Sequence, residues 1–327
     1  MKDYIPAYGN KRGGVNDLRL SAIFCTKDRI CELKEAIGST ISQTVLPYEI
    51  IVVDGGTEGQ KIEEMAKELL TGTEIKFIYI HTRPGLTFQR NIGVSKARGD
   101  ILFFFDDDVV LDKEYFRRIL EVYGDKRFEN IGGAQGTYTS VLLSPWYVNI
   151  YNTTFLLGRN NGCGKISLSG HPAWLWDRIP GKVMKVDFLS GGNMSFKNEV
   201  FRHFRFDENF DLHGSMEDVD FSFRVSRRYN LYQVPGAQLF HKGAGSNRPN
   251  FREINISLIY NHFLFFRKNM PKTFLHTLAY VWSDIGKFLL VFVKSILHKD
   301  MGILGAFITG HIKIVKNFNK VVNLYSL

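Results

Sequence analysis

The sequence predicts an α/β protein whose first half winds a doubly wound, mostly parallel sheet, and three observations carry that reading. Unbroken apolar runs alternate with segments of helical periodicity three times over. The strongest of those runs each end in polar residues. Beyond residue 130 the alternation stops, and the last quarter of the chain becomes a series of amphipathic helical patterns. Repeated strand–helix alternation implies parallel strands joined by right-handed crossovers.

The first strand is read over Leu18–Cys25, followed by the loop Thr26–Arg29 and a helix with Ile30, Leu33, Ile37 and Ile41 at helical spacing. Tyr48–Asp54 is a second strand, stopped by Gly55 and Gly56. A polar helix over Gly59–Leu70 and a third strand over Ile75–Ile80 come next. Leu86–Ala97 reads as a further helix, and Gly99-Asp100 leads into a strand over Ile101–Phe105. That strand is apolar at every position, the pattern of a strand buried on both faces.

It ends abruptly in Asp106, Asp107 and Asp108. Three successive carboxylates at a strand end are costly without a compensating cation or strong hydrogen bonds. In an extended segment Asp106 and Asp108 share a face and Asp107 points away. Two hard oxygen donors in a sheet mouth suit Mg²⁺ or Mn²⁺ shared with a phosphate-bearing substrate. An acidic turn plus a helix N-cap from Asp112 explains the same residues without a metal. Open α/β sheets bind ligands outside the carboxyl ends of their strands, which gathers Thr26, Asp54 and the aspartate cluster at one mouth. No GxGxxG follows the first strand and no GxxxxGK[ST] occurs, so a Rossmann dinucleotide site and a P-loop are disfavoured.

From Ile131 the chain is aromatic and glycine-punctuated, with Tyr138, Trp146, Tyr147, Tyr151, Phe155, Trp174 and Trp176. Such density is most often core packing, and it also suits sugar faces and lipid interfaces. Val186–Phe210 combines a Gly191-Gly192 turn, a short strand and a helix from about Lys197. A helix with Val219, Phe221, Phe223 and Val225 carries Glu217 and Asp218 at its N-terminus. The helix dipole favours acids there, and a carboxylate so held is also well placed as a general base. A short strand then ends at His241.

Charge and cysteine content narrow the classes. From Arg267 to Leu327 there are nine Lys and Arg against Asp284 and Asp300, a net +7 of the chain's +9. A nearly neutral body with a basic, apolar tail argues against nucleic acid as a partner and favours a membrane surface. Cys25, Cys31 and Cys163 are too few for a disulfide framework, and the first residues lack a signal-peptide core. In the tail, Leu278, Ile285, Leu289, Phe292 and Ile296 form one stripe, with His276, Tyr280, Ser283, Asp284, Lys287, Lys294 and Ser295 opposite. Uncharged runs of about a dozen residues fall short of the roughly 20 that span a bilayer. In-plane membrane binding and packing on the catalytic body or in a homo-oligomer both remain open for these helices.

The ordered set FCTKDR, EIIVVDGG, FQRNIGVSKARGD, FFFDDDVV, LSGGNMSF, FDENF and MEDVDFSFRVSRR, closed by a strand-terminal His, resembles glycosyltransferase family 2 from about Leu20 to His241. The resemblance implies a GT-A-type fold and an inverting, hexosyltransferase-like enzyme that uses a nucleotide-sugar donor. It also implies roles. Thr26 and Asp54 resemble the base- and ribose-binding positions, with Gly55 in place of a frequent second acid, and Arg90 resembles the residue facing the nucleotide or its phosphates. Asp106-x-Asp108 resembles the family's DxD motif, with Asp106 nearer the donor and Asp108 a ligand to Mg²⁺ or Mn²⁺. His241 resembles an additional metal ligand and Asp218 the catalytic base. The QxxRW motif of processive members is absent.

The organisation expected is an N-terminal tail (1–17), a nucleotide-sugar-binding half (18–130), an acceptor and catalytic half (131–250, with much of the acceptor site in 160–176) and C-terminal helices (251–327). The expected partners are a nucleotide-sugar, a glycan or lipid-linked acceptor and a membrane surface, at the inner, cytoplasmic face of the cell membrane. A polyprenyl-phosphate sugar transferase and a catalytically silent nucleotide-sugar-binding protein are the alternatives.

Overall fold

The computed structural model describes residues 18–140, 145–158, 164–174, 180–210, 215–243 and 250–325. The tail 1–17, Cys163 and Trp176 lie outside them, as do residues 160–163 and 175 of the expected acceptor stretch. Strands β1 (Leu20–Thr26), β2 (Glu49–Asp54), β3 (Lys76–His81) and β4 (Ile101–Phe105) alternate with helices α1 (Ile30–Ile41), α2 (Gly59–Leu70) and α3 (Leu86–Lys96). They form a parallel half-sheet in the order β3-β2-β1-β4.

β4 is buried along its whole length. Ile101, Phe103 and Phe105 enter the core on one face of the sheet, packed with Tyr115 and Phe116 of α4 (Tyr115–Gly124). Leu102 and Phe104 enter the core on the other, with Phe196, Phe206 and Phe221. Successive side chains of a strand point to opposite faces, so only a continuous apolar run fills both layers.

The second half adds antiparallel pairings. β8 (Asn193–Lys197) lies antiparallel between β4 and β6 (Ile131–Tyr138). β9 (Asn230–His241) then pairs parallel with β6 and antiparallel with β5 (Val109–Leu111) and β7 (Met184–Val186).

Val109–Leu111, directly after the aspartates, form β5, and the segment from Asp112 leads into α4, with the Asp112 side chain accepting from the Glu114 N–H (3.1 Å). Two local expectations are corrected here. The helix expected near Lys197 is a single 3₁₀ segment, Asn198–Arg202. The strand ending at His241 has 12 residues and not a short run. Pro235-Gly236 sits within it because the β6–β9 register shifts between Gln135↔Gln233 and Thr137↔Gln238. A bulge is where a sheet tolerates a residue without an N–H.

Helix α6 (Glu217–Ser226) leads into β9, and α7 (Phe251–Asn269), α8 (Phe274–Leu297) and α9 (Met301–Leu324) follow it. The C-terminal helices share a core with α6, in which Met216 and Val219 pack with Ile259, Phe263, Leu264, Phe307 and Ile314. A polar knot reinforces that seam. Asp220 accepts from Lys268 (2.9 Å), Asn269 (2.7 Å) and Arg224 (2.9 Å), and Asp207 accepts from Lys268 (2.6 Å) and the Tyr325 hydroxyl (2.7 Å). α8 differs from its neighbours, because Ser283, Asp284, Lys287 and Ser295 of its polar line turn inward and its apolar stripe turns outward.

A candidate active site at the sheet edge

Parallel pairing brings the C-terminal ends of β1, β2 and β4 to one edge, with Thr26 opposite Asp54 and Phe24 opposite Phe105. The three aspartates then diverge. Asp107 is buried and accepts from the Thr26 hydroxyl (2.8 Å) and from Arg29 Nη1 (2.5 Å). Asp108 accepts from Arg29 Nη2 (3.0 Å), and its other oxygen lies 3.1 Å from His241 Nε2. Burial works against ionising Asp108, but His241 and Arg29 together hold it well below the usual carboxylate range. Asp107 is instead pushed up to about 7, because burial outweighs its bonds to Arg29 and Thr26.

His241 reaches Asp108 through β5–β9 pairing. Val109 sits opposite His241, and the Lys242 N–H donates to the Asp108 carbonyl (3.0 Å). One ligand atom from each of Asp106, Asp108 and His241 lies within 4.8 Å of the others. Asp106 and His241 are partly exposed there, so the cluster opens to solvent.

Gly191 and Gly192 join this cluster to a second carboxylate centre. A Cβ on Gly192 would stand 2.5 Å from Asp106 Oδ2, and one on Gly191 would stand 2.6 Å from Arg90 Nη2 and 3.2 Å from Asp218 Cβ. Only glycine permits both approaches. On the far side, Asp218 is buried and accepts from the Gly191 N–H (2.7 Å) and from its neighbour Val219 N–H (2.7 Å). Burial and then the negative charge of Glu217 push Asp218 up to about 7, against the pull of Arg90 and the two N–H donors. Met216, just before α6, has φ +68°. A non-glycine residue in that region is strained by about 1–3 kcal/mol, and such strain clusters at functional sites.

The remaining expected site residues have protein partners. Asp54 is fully buried and accepts from the Gly56 N–H (2.7 Å) and the Tyr79 hydroxyl (2.9 Å). Arg90 is buried against Glu217 (2.9 Å), with its other amino group 3.3 Å from the Gly191 carbonyl. Both side chains of this pair are under a tenth exposed. Removing one partner of a buried ion pair strands the other charge. Arg90→Ala is therefore expected to lower unfolding free energy by about 3–5 kcal/mol in urea titration, and Arg90→Ala/Glu217→Gln to recover much of that loss.

Sequence reasoning assigned no role to Arg29, which bridges two of the three aspartates. Its signal was present: three acids at one mouth call for a cation, and Arg29 lies three residues past the end of the first strand.

Residues 21–179, just under half of the chain, match the family model described as glycosyl transferase family 2. Those residues are identified as a glycosyltransferase family 2 domain. The chain is 35% identical over 92 residues to an uncharacterized glycosyltransferase of Bacillus subtilis, YwdF, covering 28% of this chain and 33% of that one. It is 23% identical over 111 residues to a glucosyl-dolichyl phosphate glucuronosyltransferase of Haloferax volcanii, covering 32% and 34%. The matches thus span about a third of those relatives. In fold, the family 2 domain and its helices are similar to the mannosyltransferase PcManGT of Pyrobaculum calidifontis, solved with GDP-Man and Mn²⁺. The TM-score is 0.55 at 13% identity, with 90% of this chain and 86% of that one covered. Similarity to S. aureus TarS 1-349 gives a TM-score of 0.51 at 15% identity, covering 90% and 81%.

Proposed function

We propose that this protein is an inverting, metal-dependent glycosyltransferase that moves a sugar from a nucleoside-diphosphate sugar to a hydroxyl of a lipid-linked or cell-envelope glycan at the inner face of the cell membrane. The observation that carries the reading is the meeting of Asp106, Asp108 and His241 on one side of Gly191–Gly192 with buried Asp218 on the other. The donor set fits a divalent cation. The Asp108 carboxylate is the kind of ligand that Mg²⁺ and Mn²⁺ prefer, with Asp106 beside it, and the imidazole of His241 tilts the choice towards Mn²⁺. A divalent ion bound there supplies charge neutralisation at the leaving diphosphate.

The chain's own groups do the rest. Asp108 and His241 hold the cation, and Asp106 faces the donor. Asp218 removes the acceptor hydroxyl's proton as that oxygen attacks the anomeric carbon from the face opposite the nucleotide. A base with a pKa near 7 is matched to that task at neutral pH. Thr26, Asp54 and Arg90 are assigned to the nucleotide side. Thr26 acts through Asp107, and Arg90 by fixing Glu217 beside the base. The Haloferax relative named for a dolichyl phosphate substrate and the outward apolar face of α8 favour a lipid-linked acceptor, and a polyprenyl phosphate acceptor is the second reading.

A thermal-shift screen of UDP-, GDP-, CMP- and dTDP-sugars with Mn²⁺ or EDTA tests this. One donor is expected to stabilise the protein only with metal, by about 2.7 kcal/mol at one hundred times its dissociation constant. Equal stabilisation in EDTA, or a product that retains the donor's anomeric configuration by NMR, would contradict it.

A further inference from the structure

α8 is inside out. Ser283 and Ser295 are buried, and Asp284 points inward to Lys287 (2.9 Å) and His311 Nε2 (2.6 Å). Lys287 Nζ in turn lies 3.4 Å from His262 Nδ1 of α7. The opposite line, Leu278, Ile285, Leu289, Phe292 and Ile296, is exposed, Ile296 at 58%. A helix on a water-facing surface places its apolar stripe inward. Here the inward side is committed to ion pairs and hydrogen bonds, so the stripe has no route into the core.

Helix α5 (Trp146–Thr154) adjoins this face. The Tyr151 hydroxyl donates to the Gly286 carbonyl (2.5 Å), Trp282 Nε1 donates to the Thr154 carbonyl (2.7 Å), and the Phe155 ring stacks on Trp282 at 5.1 Å. A Cβ on Gly286 would stand 2.4 Å from Phe155. α5 itself buries no side chain: Trp146 is 73% exposed, Tyr147 60% and Ile150 57%. It begins eight residues after Tyr138, whose ring lies 5.6 Å from that of His241. Chain geometry therefore keeps the Trp146 Cα within roughly 29 Å of the Tyr138 Cα.

The charge of this part of the chain is mostly positive. Of the two acids after Arg267, Asp284 is half-buried in ion pairs and Asp300 caps α9 through the Gly302 N–H (2.8 Å), while Lys294, Lys299, Lys316 and Lys320 are exposed. Between α8 and α9 an apolar groove of about 520 Å³ is lined by Phe288, Phe307, Ile308, Ile312 and Val315, with Lys316 beside them. No helix among the described residues is long and apolar enough to cross a membrane.

We propose that α5 and the outer face of α8 form one surface that lies in the headgroup–acyl boundary of an anionic bilayer. The catalytic half then touches lipid directly through Trp146 and Tyr147, and the C-terminal helices do not act alone. The inference rests on the membrane-side reading above and specifies its contact. Exposed aromatics with a polar end, an apolar helix face and exposed lysines on the same helices are the composition of an interfacial surface. A bilayer with acidic headgroups complements both the hydrocarbon and the charge.

Flotation of the full chain with vesicles of 3:1 phosphatidylcholine and phosphatidylglycerol, and with pure phosphatidylcholine, tests it. The protein is expected to float with the anionic vesicles and to bind less in high salt. Trp146→Ala/Tyr147→Ala should lower the partition coefficient about tenfold or more, the scale of two buried aromatic side chains. Leu289→Gln/Phe292→Gln should abolish flotation. Neither variant should change the donor's thermal shift, which reports folding and the transferase reading separately. Wild-type partitioning by the α5 variant overturns the role of α5. A protein that stays with neither vesicle overturns the surface, and a dimer by light scattering that the α8 variant dissolves assigns the face to a second copy.

Discussion

Asp218→Asn is expected to lower turnover by about 10²–10⁴-fold, the usual scale for loss of a general base, while the donor-induced thermal shift survives. The wild-type rate should climb as pH rises through about 7 and level off above it, because burial and Glu217 hold the carboxyl protonated below that point. The Asn variant should lose that limb of the profile. Stability carries an independent sign. The folded state has the higher pKa, so it binds more protons between 3.8 and about 7, and this group's contribution to stability declines as pH rises across that window. An isosteric amide removes the titration but leaves one of the two N–H donors facing an NH₂ group, so Asp218→Asn should flatten the fall in melting temperature as pH rises across that window. Lower stability together with lost donor binding would show that Asp218 only supports the Gly191 turn.

The second large effect is at Asp108. Asp108→Asn should abolish the shift that Mn²⁺ causes in melting temperature and lower turnover by about 10²–10³-fold, the range seen when one electrostatic contact to developing charge is removed. Without metal the same substitution leaves Arg29, now bonded to both Asp107 (2.5 Å) and Asp108 (3.0 Å), with one carboxylate, and the metal-free protein should melt earlier. Cation binding needs a neutral His241 imidazole, so the affinity for Mn²⁺ measured by titration calorimetry should fall on acidification. A Mn²⁺ shift that persists in Asp108→Asn would remove this residue from the ligand set.

Much of this arrangement is legible in the sequence. β1, β2 and β4 each hold an unbroken apolar run of four or more residues, and a run that is apolar at both parities has to be covered on both faces. Parallel winding then forces the polar residues after those runs to one edge, which is how Thr26, Asp54 and the aspartates were grouped. What stayed hidden depends on contacts between distant segments. Nothing local to Arg29 says that it bridges Asp107 and Asp108. A strand interrupted by Pro235-Gly236 looks short until the β6–β9 bulge absorbs the interruption. Gly191 and Gly192 read as a turn, and the reason for them is the approach of Arg90, Asp106 and Asp218. Trp146 and Tyr147 were expected mainly as core, yet they stand in solvent, because α5 packs on α8 through Tyr151 and Phe155.

Periodicity and apolar runs therefore determined the α/β winding, the edge where the site forms and the stripe on α8, since each follows from backbone geometry along one segment. The pairing of His241 with Asp108, the division of labour among three adjacent aspartates and the outward turn of the α8 stripe required the folded chain. In each case the deciding energy is a charge finding its partner from another element, and sequence spacing carries no record of that distance.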